Sequence, residues 1–330
     1  MTKVFLDGEA GTTGLRLHGR LAGRTDIELL HVPHELRKDP VACAEALNAA
    51  DIAFLCLPDA ASIEAVSLIR NPDTVVIDTS TAHRTAPGWT YGFPEVGDLR
   101  AAIAASKRIA NPGCHASGFI ALVAPLVAAG VVRADAQLSA TSLTGYSGGG
   151  KKTIAQYEEG ACGVEGTGVD GASSSAVIPA DALLQAPRLY ALGQTHKHLP
   201  EMVKVCGLEN APVFCPVIAP YYAGMEVIVP LTCRDLGEGC GLDAVADAYA
   251  RAYAPGCGLV RFERNPDEGG FMSAAAFSGR DDMQVAVVGN NERMTLVARF
   301  DNLGKGASGA AIQNMNIVLG VEEGYGLNVD

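Results

Sequence analysis

Over the first 115 residues, short unbroken apolar runs alternate with longer mixed stretches, the pattern of parallel strands covered by helices. Strands are predicted at Lys3 to Asp7, Ile27 to Val32, Asp51 to Pro58 and Thr74 to Asp78. The last two are almost wholly apolar, as strands buried on both faces are. Helices fit between them, at Gly14 to Leu21 and from Asp59 to Arg70. Beyond about residue 130 the runs lengthen and alternate, at Gln137 to Thr144, Pro212 to Pro220, Met225 to Cys233, Gln284 to Asn290 and Met294 to Phe300. That change predicts a mostly antiparallel sheet with helices on one face. Helical spacing returns near the C-terminus, where Ala311, Ile312, Met315, Ile317 and Val318 share a stripe. No repeat marks a solenoid, and the only biased segments are 147–150 and 171–176.

Composition narrows the function classes. With 330 residues, 48% hydrophobic and 19% charged, the chain can bury a large core and build two domains. Lys and Arg number 25 against 37 Asp and Glu, and no basic block appears, so no nucleic-acid partner is expected. No apolar stretch reaches the roughly 18 to 20 residues that span a bilayer, and nothing near Met1 reads as a signal peptide, so a cytoplasmic protein with no membrane partner is expected. Nine scattered cysteines without a Cys-x-x-Cys pair exclude a disulfide framework and a thiolate zinc site.

Candidate chemistry gathers at a few loops. The first strand runs into Gly8-Glu9-Ala10-Gly11-Thr12-Thr13-Gly14 and then a helix, a Gly-x-x-Gly-x-x-Gly variant of the dinucleotide fingerprint. Gly8, Gly11 and Gly14 permit a tight turn, and the N–H groups through Thr12 and Thr13 can face a pyrophosphate. About 20 residues on, where an NAD site presents a carboxylate to the ribose, stand Val32, Pro33 and His34, then Arg37 and Lys38. That favours NADP, with a solvated basic turn as the alternative. The Glu9 carboxylate is expected to point into solvent. Lys305 to Gly309 offers a second glycine-rich surface for the nicotinamide, or an ordinary helix start.

Asn111-Pro112-Gly113-Cys114 precedes an apolar helix that ends near Gly130. A thiol at a helix N-terminus is drawn toward the nucleophilic thiolate, whereas an interior cysteine stays inert, so Cys114 is the candidate nucleophile. In Thr195-His196-Lys197-His198-Leu199-Pro200-Glu201 the proline predicts an extended approach that places both histidines on one side. One imidazole can exchange protons with Cys114 while the other holds an anion with Lys197. A two-histidine metal site lacks a third ligand at a characteristic spacing, so no metal is expected. His18, His31, His34, His83 and His115 read as structural or surface residues. Arg84 in Asp78 to Arg84, and Lys151 with the loop that starts at Ser147, can bind phosphate or carboxylate.

These motifs in this order resemble the N-acetyl-γ-glutamyl-phosphate reductases, in the shorter of that family's two forms. The likeness runs along most of the chain and also takes in Tyr91-Gly92-Phe93-Pro94-Glu95 and Gln313-Asn314-Met315-Asn316. It implies a Rossmann domain, residues 1–115 with 300–330, and an inserted α+β catalytic and dimerisation domain, residues 116–299. It further implies NADPH-dependent reduction of an acyl phosphate to N-acetylglutamate semialdehyde in arginine biosynthesis, through a thioester on Cys114, by a homodimer or homotetramer. His196 would transfer the proton. His198 and Glu201 would contact substrate or orient His196, and spacing does not choose between the two histidines. Longer members usually carry Ser and Tyr at the places of Ala10 or Thr12 and Arg at Lys197. A related aspartyl- or aminoadipyl-phosphate reductase, an NADPH-sensing protein and a thiol hydrolase are the alternatives.

Overall fold

The computed structural model describes residues 1–158 and 180–329, and the biased segment 171–176 lies outside them. Six strands form a wholly parallel sheet: β1 (Thr2–Asp7), β2 (Ile27–Leu30), β3 (Ile52–Leu55), β4 (Val75–Asp78), β5 (Thr90–Tyr91) and β6 (Arg108–Ala110), in the order β2-β1-β3-β4-β6-β5. Four helices connect them: α1 (Thr12–Leu21), α2 (Pro40–Ala49), α3 (Asp59–Ser67) and α4 (Leu99–Ala105). Side chains alternate across a strand, and β1 and β3 use both faces for core. Val4, Leu6, Ile52 and Phe54 pack on one side with Leu17 and Leu21 of α1, while Phe5, Ala53 and Leu55 pack on the other with Leu47 of α2.

Helix α5 (Cys114–Ala128) leads out of this sheet. The second sheet holds seven strands: β7 (Ser139–Gly145), β8 (Arg188–Leu189), β9 (Val213–Ala219), β10 (Met225–Thr232), β11 (Val260–Arg264), β12 (Met283–Gly289) and β13 (Arg293–Phe300). Their order is β11-β12-β13-β10-β7-β9-β8, antiparallel except for the β11–β12 and β7–β9 pairs, so the sheet is mixed and mostly antiparallel. The remaining helices are α6 (Gly150–Glu158), α7 (Ala180–Leu184), α8 (Leu199–Cys206), α9 (Leu242–Ala252) and α10 (Gly309–Leu319). Helix α5 is buried nearly all round, as a helix between a sheet and other helices must be. Gly118 lets it settle on Val227 of β10 and Phe300 of β13, because a Cβ there would overlap both.

After β13 the chain makes a π-helical turn, Gly304–Ser308, and enters α10. Ala311, Ile312, Met315 and Ile317 of α10 join the core beneath the parallel sheet, so the chain's last helix completes the layer begun by its first. No described helix is long and apolar enough to cross a membrane.

Candidate active site

At the carboxyl end of β1 the chain turns through Gly8, whose φ of 86° lies in the region open to glycine. A Cβ on Gly8 would overlap the carbonyl of Cys56, and one on Gly14 would overlap that of Gly8. Gly11 caps α1 without any side-chain hydrogen bond, so the first N–H groups of the helix face outward from bare backbone. Gly11, Thr12, Thr13 and Gly14 line one end of a cleft of about 910 Å³. A bare-backbone turn of closely packed glycines at the positive end of a helix fits a dinucleotide pyrophosphate.

The same cleft continues to Asn111, Gly113, Cys114, His196, Lys197 and His198. Cys114 is the first residue of α5, with one edge in the cleft and protein packed closely around its sulfur. Burial pushes its thiol up from the ordinary value, against the pull of the Arg84 guanidinium, the backbone N–H of His115 and Lys197. The helix N-terminus therefore moderates the thiol without dominating it, which corrects the expectation of a thiol drawn below its ordinary value.

Arg84 is fixed on three sides: its Nε donates to Asn111 O at 2.9 Å, Nη1 to Glu201 Oε1 at 2.8 Å and Nη2 to Thr79 O at 3.0 Å. The loop carrying it is anchored by His83, whose Nδ1 lies 2.6 Å from Asp78 Oδ2 and whose ring stacks on Trp89. Both Glu201 oxygens are taken, one by Arg84 and the other by Tyr91 Oη at 2.6 Å and Gly113 N–H at 3.1 Å. Glu201 is thus buried beneath the cleft and orients Arg84 and the cysteine loop. Arg84 Nη1, His198 Nε2 and Glu201 Oε1 all converge on Gly113, where a Cβ would collide with each.

His196 and His198 come together, their rings 4.6 Å apart and nearly perpendicular. They do so through a turn and not an extended segment: Leu199 N–H donates to His196 O at 3.0 Å, and Leu199 itself opens α8 although it precedes proline. His198 N–H donates to His196 Nδ1 at 3.2 Å, which puts the proton of the neutral ring on Nε2. Burial, then Lys197 and Arg84, lower the His196 pKa. Burial, then Arg84 and the other two imidazoles, lower that of His198 further. Among the described residues, His198 Nδ1 is buried without a hydrogen-bond partner.

Ser147 lies in the cleft wall, its Oγ accepting from Asn302 Nδ2 at 3.0 Å. Three expectations need correction. Lys151 points from the exposed start of α6, while Gly148, Gly149, Gly150 and Thr153 line the cleft in its place. Lys305 does not face the nicotinamide end: it is wholly buried, its Nζ 2.8 and 2.9 Å from the two oxygens of Glu95, while Leu303, Gly306 and Ala307 around it reach the cleft. Glu9 pairs with Arg37 at 3.2 Å instead of standing in solvent, so Arg37 is engaged beside the glycine loop.

Sequence reasoning passed over Tyr190 and set His115 aside. His115 Nε2 lies 2.5 Å from Tyr190 Oη and Nδ1 lies 2.6 Å from Ser142 Oγ, and burial with the nearby His196 pushes its pKa down to about 3. It is a neutral buried bracket that holds Tyr190 in the cleft wall. The only signal for His115 was adjacency to Cys114, and Tyr190 stood in no motif.

Comparison with known proteins agrees with this layout. Residues 3–105 match the semialdehyde dehydrogenase NAD binding domain and residues 114–302 the semialdehyde dehydrogenase dimerisation domain. A Chelativorans sp. protein named N-acetyl-gamma-glutamyl-phosphate reductase is 44% identical over 96% of this chain and 98% of its own. Proteins named N-acetyl-gamma-glutamyl-phosphate reductase 2 from Pseudomonas putida and Nostoc sp. are each 41% identical over 98% of this chain, covering 98% and 99% of their own. Aspartate semialdehyde dehydrogenase II of Vibrio cholerae shares the fold, with a TM-score of 0.68 at 18% identity over 97% of this chain and 98% of that one. The Candida albicans aspartate semialdehyde dehydrogenase solved with NADP has a TM-score of 0.64 at 16% identity, over 97% and 98% of the two chains.

Proposed function

Because the chain belongs to the N-acetyl-γ-glutamyl-phosphate reductases of the semialdehyde dehydrogenase family, we propose that it reduces N-acetyl-γ-glutamyl phosphate to N-acetylglutamate 5-semialdehyde with release of phosphate, using NADPH, in arginine biosynthesis. The observation that carries this is one continuous cleft, with a bare-backbone dinucleotide cradle at one end and a helix-initiating cysteine beside an arginine and two histidines at the other.

Gly8, Gly11, Thr12, Thr13 and Gly14 would hold the cofactor's pyrophosphate, and Arg37 its 2′-phosphate. Bound there, the nicotinamide supplies a hydride to an acyl carbon. The chain's own residues do the rest. Cys114 gives its proton to a neutral imidazole, and the sulfur attacks the acyl carbon, forming a C–S bond as the C–O bond to phosphate breaks. His198 Nε2, packed against Gly113 directly before the nucleophile, is placed to take that proton. His196, with its proton on Nε2, donates to oxygen in the cleft. Arg84, which lines the cleft, would receive the anionic end of the substrate. Once hydride has reached the acyl carbon, the C–S bond breaks to give aldehyde and regenerate the cysteine. Assembly through residues 114–302 into a homodimer or homotetramer, in the cytoplasm, goes with this activity.

The test runs the reaction in reverse, following NADP reduction with N-acetylglutamate semialdehyde and phosphate beside aspartate and aminoadipate semialdehydes. Strong preference for the N-acetylated substrate, and dependence on phosphate, are expected. Equal turnover of aspartate semialdehyde, or none with any aldehyde, would reject the assignment.

A further inference from the structure

The outer end of the dinucleotide cradle carries a charged cluster that the chemistry at Cys114 does not use. Glu9 follows the first glycine of the loop and holds Arg37 at 3.2 Å. His18 on α1 and His31, the residue directly after β2, stand against it. A carboxylate oxygen of Glu9 and one nitrogen of each ring all lie within 4.8 Å of one another, and the ring centres are 6.1 Å apart. In a sheet of this topology the carboxyl end of the second strand, beside the glycine loop, is where the adenosine ribose is read: a carboxylate selects a free 2′-hydroxyl and a cation accommodates a 2′-phosphate. Here both groups are present, and they neutralise each other. A divalent metal could draw on the same three ligands, but it would stand against the Arg37 guanidinium that already satisfies the carboxylate, which favours an anion over a cation as the guest.

We propose that Glu9 is a cofactor-selecting residue, an internal anion that in the free protein occupies the cradle of Arg37, His18 and His31 where the 2′-phosphate docks. This rests on NADPH being the cofactor. Docking then requires Arg37 to exchange the Glu9 carboxylate for the phosphate, with Glu9 turning away from a like charge. NADPH gains Arg37 and loses the Glu9 pair, while NADH meets a carboxylate able to accept from its 2′-hydroxyl. The chain therefore separates the two cofactors less sharply than Arg37 alone would.

The test titrates NADPH and NADH, by nucleotide fluorescence, into the full chain with Cys114 alkylated, so that no turnover enters the readout. Glu9→Gln should bind NADPH about tenfold more tightly and leave NADH unchanged or weaker, since it removes a repulsion and frees a cation in one step. Arg37→Ala should weaken NADPH about tenfold and spare NADH, which also reports that the fold is intact. Equal changes for both cofactors in Glu9→Gln, or weaker NADPH binding, would overturn the proposal. So would Zn²⁺ binding that His18→Asn and His31→Asn abolish while Glu9→Gln leaves NADPH affinity untouched. No acyl phosphate is present, so an error in the substrate assignment leaves this result standing.

Discussion

Cys114 is held between opposed influences, and their balance sets how the protein must use it. Burial raises the thiol above its ordinary value of 9.0, and Arg84 with the backbone N–H of His115 and Lys197 offsets only part of that. A thiol raised in this way is protonated near neutral pH, so in the proposed reaction an imidazole takes its proton for attack to begin. Both candidates are suited to this, because burial lowers the pKa of His196 and His198 below 6.5 and keeps them neutral at neutral pH. The signs give two measurable limbs. Iodoacetamide should alkylate Cys114 at a rate that climbs about tenfold per pH unit through neutrality and keeps climbing past pH 9. A plateau near pH 7 would contradict a raised thiol. For kcat/KM the acid limb should fall below pH 6.5, and His196→Asn should cost about a hundredfold or more. His198→Asn, which removes the proposed base, should be at least as damaging, and full activity in either variant would reject the role given to that histidine.

At the scale of elements, the site depends on how closely three of them approach one residue. The loop before α5, the Arg84 loop and the start of α8 meet at Gly113, and a methyl group there would strike Arg84, His198 and Glu201 together. Gly113→Ala should therefore lose about a hundredfold in kcat/KM, since displacements near 1 Å at a reacting centre cost that much. Helix content by circular dichroism should stay unchanged, and full activity would mean that the crowding is relieved at no cost. The helix behind Cys114 was legible in the sequence because a Pro-Gly stop precedes an unbroken apolar run. The turn joining His196 to His198 was not. Proline at 200 argues for extended backbone before it, yet Leu199 is helical, because the burial of Leu199 and Met202 in the core outweighs a local preference. The histidines meet either way, so their proximity could be read where the local geometry could not. Arg84 was visible as a cation in a polar loop, but its partner Glu201 lies 117 residues away, a pairing that no local spacing encodes.

Across the whole molecule, the two sheets are tied by a chain end that returns to the beginning, and the knot is a fully buried ion pair. Lys305 joins Glu95, while Gln313 of α10 donates to Glu95 Oε1 at 2.8 Å and Leu259 N–H donates to it at 2.9 Å. Next along the π turn, Gly306 packs against the Cβ of Cys114, and Asn111 Nδ2 donates to Ala307 O at 3.0 Å, so the knot also sets the wall behind Cys114. Sequence alone left Lys305 between a surface for the nicotinamide and an ordinary helix start; its true partner lies 210 residues earlier, a pairing that no local spacing encodes. Removing one partner of a buried pair strands the other, so Lys305→Met should cost about 3 to 5 kcal/mol in urea unfolding at pH 7. The sign of its pH dependence is the sharper check. Although burial opposes its ionisation, Lys305 and the hydrogen bonds hold Glu95 below its usual 4.5, so in the wild type this contribution is present above pH 4.5 and is lost as pH falls through the lowered value. Burial lowers the Lys305 pKa from 10.5 against the pull of Glu95, and that effect is confined to the alkaline side. Without the ammonium, burial, the largest influence on Glu95, is opposed only by the Gln313 and Leu259 hydrogen bonds, so its pKa should rise and the variant should become more stable between pH 7 and 5 as the carboxyl takes up its proton. Between pH 7 and 5 the variant should thus gain stability while this contribution in the wild type stays constant, and parallel curves would mean that the pair does not hold the sheets together.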